Sequence, residues 1–249
     1  MHLLLTAFLL AAPVESLEQL GPPQVLELKG ETHHVQGVEV DARTLWVTSV
    51  DRANRKGYLF EFSLATGEML RQIEVQDGDR FHPGGIASDG ESLWLPISEY
   101  KPHSSTVIQK RNKRTLGVEF QFEVADSIGC VAANGTVLVG GNWDSRDLYV
   151  WDHRGKLIRT TPNETPNAYQ DLKFDKGLLV ASGVLPGKEG AIDWLEFPSM
   201  KMMRRIKAGK TDRGSPFTRE GMAIRDGRLY LLPEDGPSRL YTFLLESQR

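Results

Sequence analysis

Apolar residues along this chain fall in short runs with two-residue alternation, broken by polar turns, which is the pattern of β-strands buried on one face. The runs group into sets. Each set opens with a polar lead-in to a first strand: His34-Val35-Gln36-Gly37-Val38, His82-Pro83-Gly84-Gly85-Ile86, Asp126-Ser127-Ile128-Gly129-Cys130, Ala168-Tyr169-Gln170-Asp171-Leu172 and Thr218-Arg219-Glu220-Gly221-Met222. With Gly37, Gly85, Gly129, Asp171 and Gly221 taken as equivalent, the steps between sets are 48, 44, 42 and 50 residues.

Second strands follow at Thr44–Thr48, Ser92–Pro96, Thr136–Gly140, Gly177–Ala181 and Arg228–Leu232, after turns such as Asp89-Gly90, Asn134-Gly135 and Asp226-Gly227. Asp-Gly and Asn-Gly suit hairpins because these residues tolerate positive φ. Third strands are expected at Tyr58–Phe62, Thr106–Lys110, Asp147–Trp151, Ala191–Leu195 and Arg239–Phe243, and fourth strands near Met69–Val75, Val118–Val124, Leu157–Thr161 and Met202–Ala208. A repeat of this length made of four short strands is the signature of a β-propeller blade. The reading is all-β: a five-bladed β-propeller.

The fifth set lacks a fourth strand. The alternating segment Gln24–Lys29 has no partner of its own. It is expected to complete the last blade and close the ring, which removes the open edges. A single domain over residues 23–249 follows. Core packing between blades accounts for Trp46, Trp94 and Trp143, although Trp143 lies late enough in its repeat to serve as a sugar-stacking platform.

The apolar run Met1–Ala12 is too short to span a bilayer. With Val14-Glu15-Ser16 as a cleavage region, residues 1–16 read as a signal peptide, so the protein is expected to be secreted or periplasmic. A net charge of −3 gives no footprint for nucleic acid or an anionic membrane, and the basic run Lys110–Arg114 reads as a solvated turn. The single cysteine, Cys130, excludes an intramolecular disulfide and reads as an inert buried thiol. The expected state is a monomer with no transmembrane segment.

In an antiparallel blade, the start of the first strand and the end of the second lie at the same end. These positions from all blades converge on one mouth of the central channel, and they are rich in polar residues. Glu220 and His34, with His82, are the candidate acid–base groups. Gln36, Arg80, Glu99, Asn142, Asp144, Arg146, Gln170 and Glu234 are candidate ligand-binding residues. Carboxylates and amides there could hold calcium, and histidines with a carboxylate could hold zinc. The first functional reading is a polar site for a small molecule, saccharide or peptide. The alternatives are a metal-assisted hydrolase or a transferase using the same site, and a scaffold that binds protein at its rim.

His33-His34-Val35-Gln36-Gly37, Phe81–Ile86, Leu93–Tyr100, Gly141–Arg146, Tyr169-Gln170-Asp171 and Glu220–Ala223 resemble an uncharacterised bacterial family of five-bladed propellers, over roughly residues 24–245. More distantly, Val35-Gln36-Gly37-Val38 is similar to the first-blade motif of plant-type glutaminyl-peptide cyclotransferases. Where those enzymes open the second blade with Glu-Gly, this chain has Pro83-Gly84-Gly85. Metal-dependent lactonase propellers, which have six blades, place Glu, Asn and Asp ligands at the channel mouth. That likeness implies Glu220, Asn142 and Asp171 as a divalent-cation set.

Overall fold

The structure is a computed structural model that describes residues 15–245. Five four-stranded antiparallel blades form a ring. Blade 1 comprises His34–Val40, Thr44–Asp51, Lys56–Ser63 and Met69–Glu74. Blade 2 has its inner strand broken into His82–Pro83 and Ala87–Asp89, followed by Ser92–Ser98, Thr106–Asn112 and Val118–Val124. Blade 3 comprises Ile128–Ala133, Val137–Asn142, Asp147–Asp152 and Leu157–Pro162, and blade 4 Ala168–Asp175, Leu178–Leu185, Glu189–Glu196 and Met202–Lys207. Blade 5 comprises Glu220–Arg225, Arg228–Pro233 and Arg239–Leu244. Its outer strand is Gln24–Glu27, paired antiparallel with Arg239–Leu244 in the register Gln24 to Thr242 through Glu27 to Arg239. The ring is therefore closed by the N-terminal strand, as the unpaired alternation of that segment implies.

The burial pattern explains the strand order. Second strands are covered on both faces by neighbouring blades, and Ser92–Ser98 is buried at every position. Fourth strands are mostly exposed, with Leu70, Phe120, Ile158 and Met203 open at the rim. The apolar contacts between blades form a circle of clusters, for example Trp46, Ile86, Leu95 and Val107 between blades 1 and 2. Ahead of the closing strand, the 3-10 turn Leu17–Leu20 buries Leu17 against Val180, Ile192 and Tyr241, so the packed fold extends before residue 23. The proposed leader lies outside the described residues, apart from Glu15 and Ser16. The basic hairpin is less solvated than its composition implies. Arg111 is buried on the Leu116 carbonyl at 2.7 Å, and Lys113 reaches Asp41 and Ser88 in the neighbouring loops.

The axis shows why the inner strands carry glycine. Gly37, Gly85 and Gly221 approach one another there, and Gly129 joins them through its carbonyl. A Cβ on Gly37 would lie 2.6 Å from the Gly85 Cα, and one on Gly85 would lie 2.7 Å from an Asp171 oxygen. Gly85 N–H donates to the Gly129 carbonyl at 2.9 Å and Val131 N–H to the Gly85 carbonyl at 3.0 Å, which joins blades 2 and 3 at the centre. The fifth equivalent position is Asp171, whose carboxylate occupies space that a side chain at Gly85 would fill. It is 0% exposed. It accepts from Val38 N (3.2 Å), Met222 N (3.0 Å), Leu172 N (2.9 Å) and Lys173 Nζ (2.6 Å), and Lys173 also donates to the Ile86 carbonyl at 2.7 Å. Blades 1, 2, 4 and 5 thus meet on one ion pair. Burial pushes the Asp171 carboxyl up to about 6 while Lys173 and the amides favour its charged form, so it is ionised at neutral pH.

Removing one member of a buried, hydrogen-bonded charge pair typically costs about 3–5 kcal/mol. Asp171→Asn is expected to lose stability of that order in urea denaturation with an unchanged slope. A loss under about 1 kcal/mol, the scale of an ordinary hydrogen bond, would show that the axis is not held this way.

Candidate functional site

Asp171 and Lys173 close the channel, so each mouth is a blind pocket. The larger, with a volume of about 730 Å³, lies at the end where first strands begin and second strands finish. Its lining comes from all five blades and from the connection between blades 4 and 5, residues 208–219. Three walls differ in chemistry.

Blades 5 and 1 supply the acid–imidazole wall. Glu220 is the first residue of its strand and has φ +103°, a region that side chains other than glycine rarely adopt. Such strain persists only where the surroundings enforce it, and it concentrates at functional sites. Glu220 is 6% exposed, and its carboxyl makes no hydrogen bond among the described residues; the closest cation is Arg219 Nε at 4.0 Å. Burial, reinforced by the Glu234 carboxylate, pushes Glu220 up to about 8, so it is neutral at pH 7. Glu234 is instead paired: its Oε1 lies 2.5 Å from His34 Nδ1, and this contact holds its carboxyl below the usual range. Donor atoms of His34, Glu220 and Glu234 lie within 4.8 Å of one another.

Blades 2 and 3 supply an aromatic wall. His82 packs edge-on to Tyr100 at 4.3 Å between ring centres, and Trp143 lies 6.4 Å from both rings. His82 Nε2 is 2.8 Å from Gln36 Oε1, so it carries the proton. Burial, with His34 and Arg52 nearby, drives His82 down to about 3, and the ring is neutral. Arg52 stacks over Tyr100 at 5.1 Å. The third wall is basic, with Lys188, Lys210, Arg213 and Arg219.

Of the residues expected at this mouth, His34, Gln36, His82, Asn142, Asp144, Gln170, Glu220 and Glu234 line the cavity. Four are placed elsewhere. Arg80 is bound by Asp77 and Glu123, and Glu99 by Lys101 and Ser105, bracing loops beside the pocket. Arg146 extends into solvent with Asp144 3.5 Å away. Asp171 lies on the axis with its oxygens already bonded. The set Glu220, Asn142 and Asp171 is accordingly not gathered on one point. Asn142 is occupied within blade 3, donating to Asp126 at 2.9 Å and accepting from Asp147 N at 2.9 Å. The cluster that does gather replaces Asn142 and Asp171 with His34 and Glu234. Trp143 departs from the core-packing reading and faces the cavity, whereas Trp46 and Trp94 are buried. Cys130 is buried, and its thiol is pushed up to about 12, as an inert thiol should be.

Lys188, Lys210, Arg213 and Ser215 were not singled out by the repeat, because they sit in a turn and in the 208–219 connection. The length of that connection was the available signal.

The site has a pH signature. Folded Glu220 keeps its proton up to about pH 8, whereas the unfolded chain releases it near 4.5. Between those values the folded state binds more protons, so this residue lowers stability as pH rises. His82 acts oppositely: the unfolded chain takes up a proton below about 6.5 that folded His82 refuses until about 3, so its contribution is lost as pH falls. Glu220→Gln is therefore expected to melt above the wild type at pH 8, with the difference vanishing below pH 4.5. Equal melting temperatures across that range would contradict the assignment.

A search of curated proteins finds no match. Among solved structures the chain is similar to the WD40 domain of Pan2 from Neurospora crassa, with TM-score 0.50 and 11% identity over 80% of this chain and 56% of that one. It is also similar to BamB from Moraxella catarrhalis, with TM-score 0.46 and 13% identity over 87% of this chain and 59% of that one. For the computationally designed Ika8 protein the values are 0.47 and 12%, over 87% and 73%. The chain thus spans little more than half of these two natural proteins, and identities this low bear on the fold alone. A family model matches residues 13–170, well over half of the 249 residues. The chain belongs to that family, described as a family of unknown function, DUF6454.

Proposed function

We propose that this protein binds a small polar molecule in the mouth pocket and acts on it by acid–base chemistry. The observation that carries the reading is Glu220: buried, held at a strained φ, without a hydrogen-bond partner among the described residues, and bordering the cavity. A neutral carboxyl in that position is a proton donor. His34 is the complementary base. Its Nδ1 lies 2.5 Å from Glu234, which orients the ring, and its other nitrogen remains for a ligand. Tyr100 and Trp143, set edge-to-face, provide aromatic surface against which a ring can lie.

Such a pair suits reactions in which a proton is moved beside a carbonyl. Opening a lactone and cyclising a glutaminyl terminus are both of that kind. The test is incubation of the full chain with lactones, esters and N-terminal glutaminyl peptides, with products followed by mass spectrometry. Any turnover is expected to fall about 10²–10⁴-fold in Glu220→Gln, the usual contribution of a general acid. Turnover untouched by that change would overturn the role.

A second reading rests on the 4.8 Å grouping of His34, Glu220 and Glu234, which could hold zinc or another divalent cation. Elemental analysis of tag-free protein, with melts before and after chelation, separates the two. Stoichiometric metal whose removal lowers the melting temperature would replace the neutral-acid reading with a metal-assisted one.

Export is part of the proposal. Residues 1–16 are read as a cleaved leader, so the mature chain in the culture supernatant or periplasmic fraction is expected to start close to Leu17. An intact Met1 on intracellular protein would contradict it.

A further inference from the structure

The basic wall is larger than the rest of the site accounts for. Five cations, Arg52, Lys188, Lys210, Arg213 and Arg219, line the cavity against three carboxylates, Asp144, Glu220 and Glu234. This is a local excess in a chain whose net charge is −3. The cations are also concentrated. Lys188 lies in the turn between Leu178–Leu185 and Glu189–Glu196 of blade 4, and Lys210, Arg213 and Arg219 lie in the connection to blade 5.

Their neighbours neutralise them only in part. Lys188 and Lys210 have no ion pair or side-chain hydrogen bond among the described residues. Arg213 is anchored by neutral acceptors, the carbonyls of Asp235 at 2.7 Å and Pro237 at 2.9 Å. One oxygen of the Asp235 carboxylate is 3.7 Å from Arg213, and the other is shared with Arg239 at 2.5 Å. Arg219 is the one member of this wall shared with the acid–imidazole group, 3.6 Å from Glu234. Cations of one sign around a concave site focus the potential inward and favour an anion there.

We propose that this wall recognises a carboxylate or phosphate group, so that the occupant of the pocket is a small organic anion whose ring or sugar lies against Tyr100 and Trp143. The inference rests on the reading of the mouth as a small-molecule site and names the ligand class for it. The anionic group would be held by Lys188, Lys210 and Arg213, while the uncharged part of the molecule is presented to Glu220 and His34.

Calorimetric titration of the full chain with charge-matched pairs tests this: benzoate against benzamide, galacturonate against galactose, and phenyl phosphate against phenol. For at least one pair the anion is expected to bind at least about tenfold tighter than its neutral partner, a difference that shrinks with added salt. In the double variant Lys188→Gln with Lys210→Gln the preference is expected to collapse with the melting temperature unchanged, because both side chains are exposed. Equal binding of anion and neutral partner, or a preference that survives the double variant, would overturn the inference and leave the small-molecule site standing. Failure of every probe to bind would overturn both.

Discussion

One buried ion pair organises the molecule. A propeller ring leaves a hole where its inner strands meet, and backbone amides of blades 1, 4 and 5 point into it. Here four of the five equivalent positions are glycine and the fifth is Asp171. A single carboxylate fills the gap, accepts amide protons from blades 1, 4 and 5, and through Lys173 reaches the Ile86 carbonyl of blade 2. The charge is costly to bury, but it replaces several unsatisfied donors with short bonds. Glu39 continues the arrangement on the far side. It is buried near Lys173 and accepts from Val40 N and Ser88 N at 2.9 Å.

The rest of the site depends on that plug. A channel closed at its waist has no through-path, so the residues above it form the floor and walls of a pocket. The register of each blade then decides which side chains reach it. Val38 and Met222, whose amides bind Asp171, lie a few residues beyond His34 and Glu220 on the same inner strands. The clamp therefore fixes the position of the acid–imidazole pair. Glu220 combines high burial with positive φ and lacks a hydrogen-bond partner among the described residues. Each of these features costs stability, and together they sit where three chemically distinct walls converge.

Much of this was legible in the chain. Two-residue alternation and Asp-Gly turns recur at a nearly constant step, so blade number, strand order and the closing strand all follow from local signals. The mouth followed from geometry alone, since strand direction dictates which ends meet; His34, His82, Glu220 and Glu234 were reachable that way. The repeat aligned Asp171 with the four glycines, but its axial role was not legible, because a polar residue at a strand start reads equally well as part of the mouth. Only the close approach of Gly37, Gly85 and Gly221 turns it into an axial group. Arg80 and Glu99 look identical in pattern to residues that line the cavity, but local partners within two loops turn them aside. The basic wall stands outside the repeat, in a segment whose path no periodicity describes.

The protonation state of Glu220 tests the account of the site most directly. Its carboxyl carbon can be followed by NMR through a pH titration of glutamate-labelled protein, with Glu220→Gln supplying the assignment. A midpoint near 8 is expected, which leaves a neutral carboxyl in the pocket at physiological pH. A midpoint at or below the ordinary value of 4.5 would contradict it. The residue would then be a carboxylate already compensated by a cation, and the metal-assisted reading would take its place.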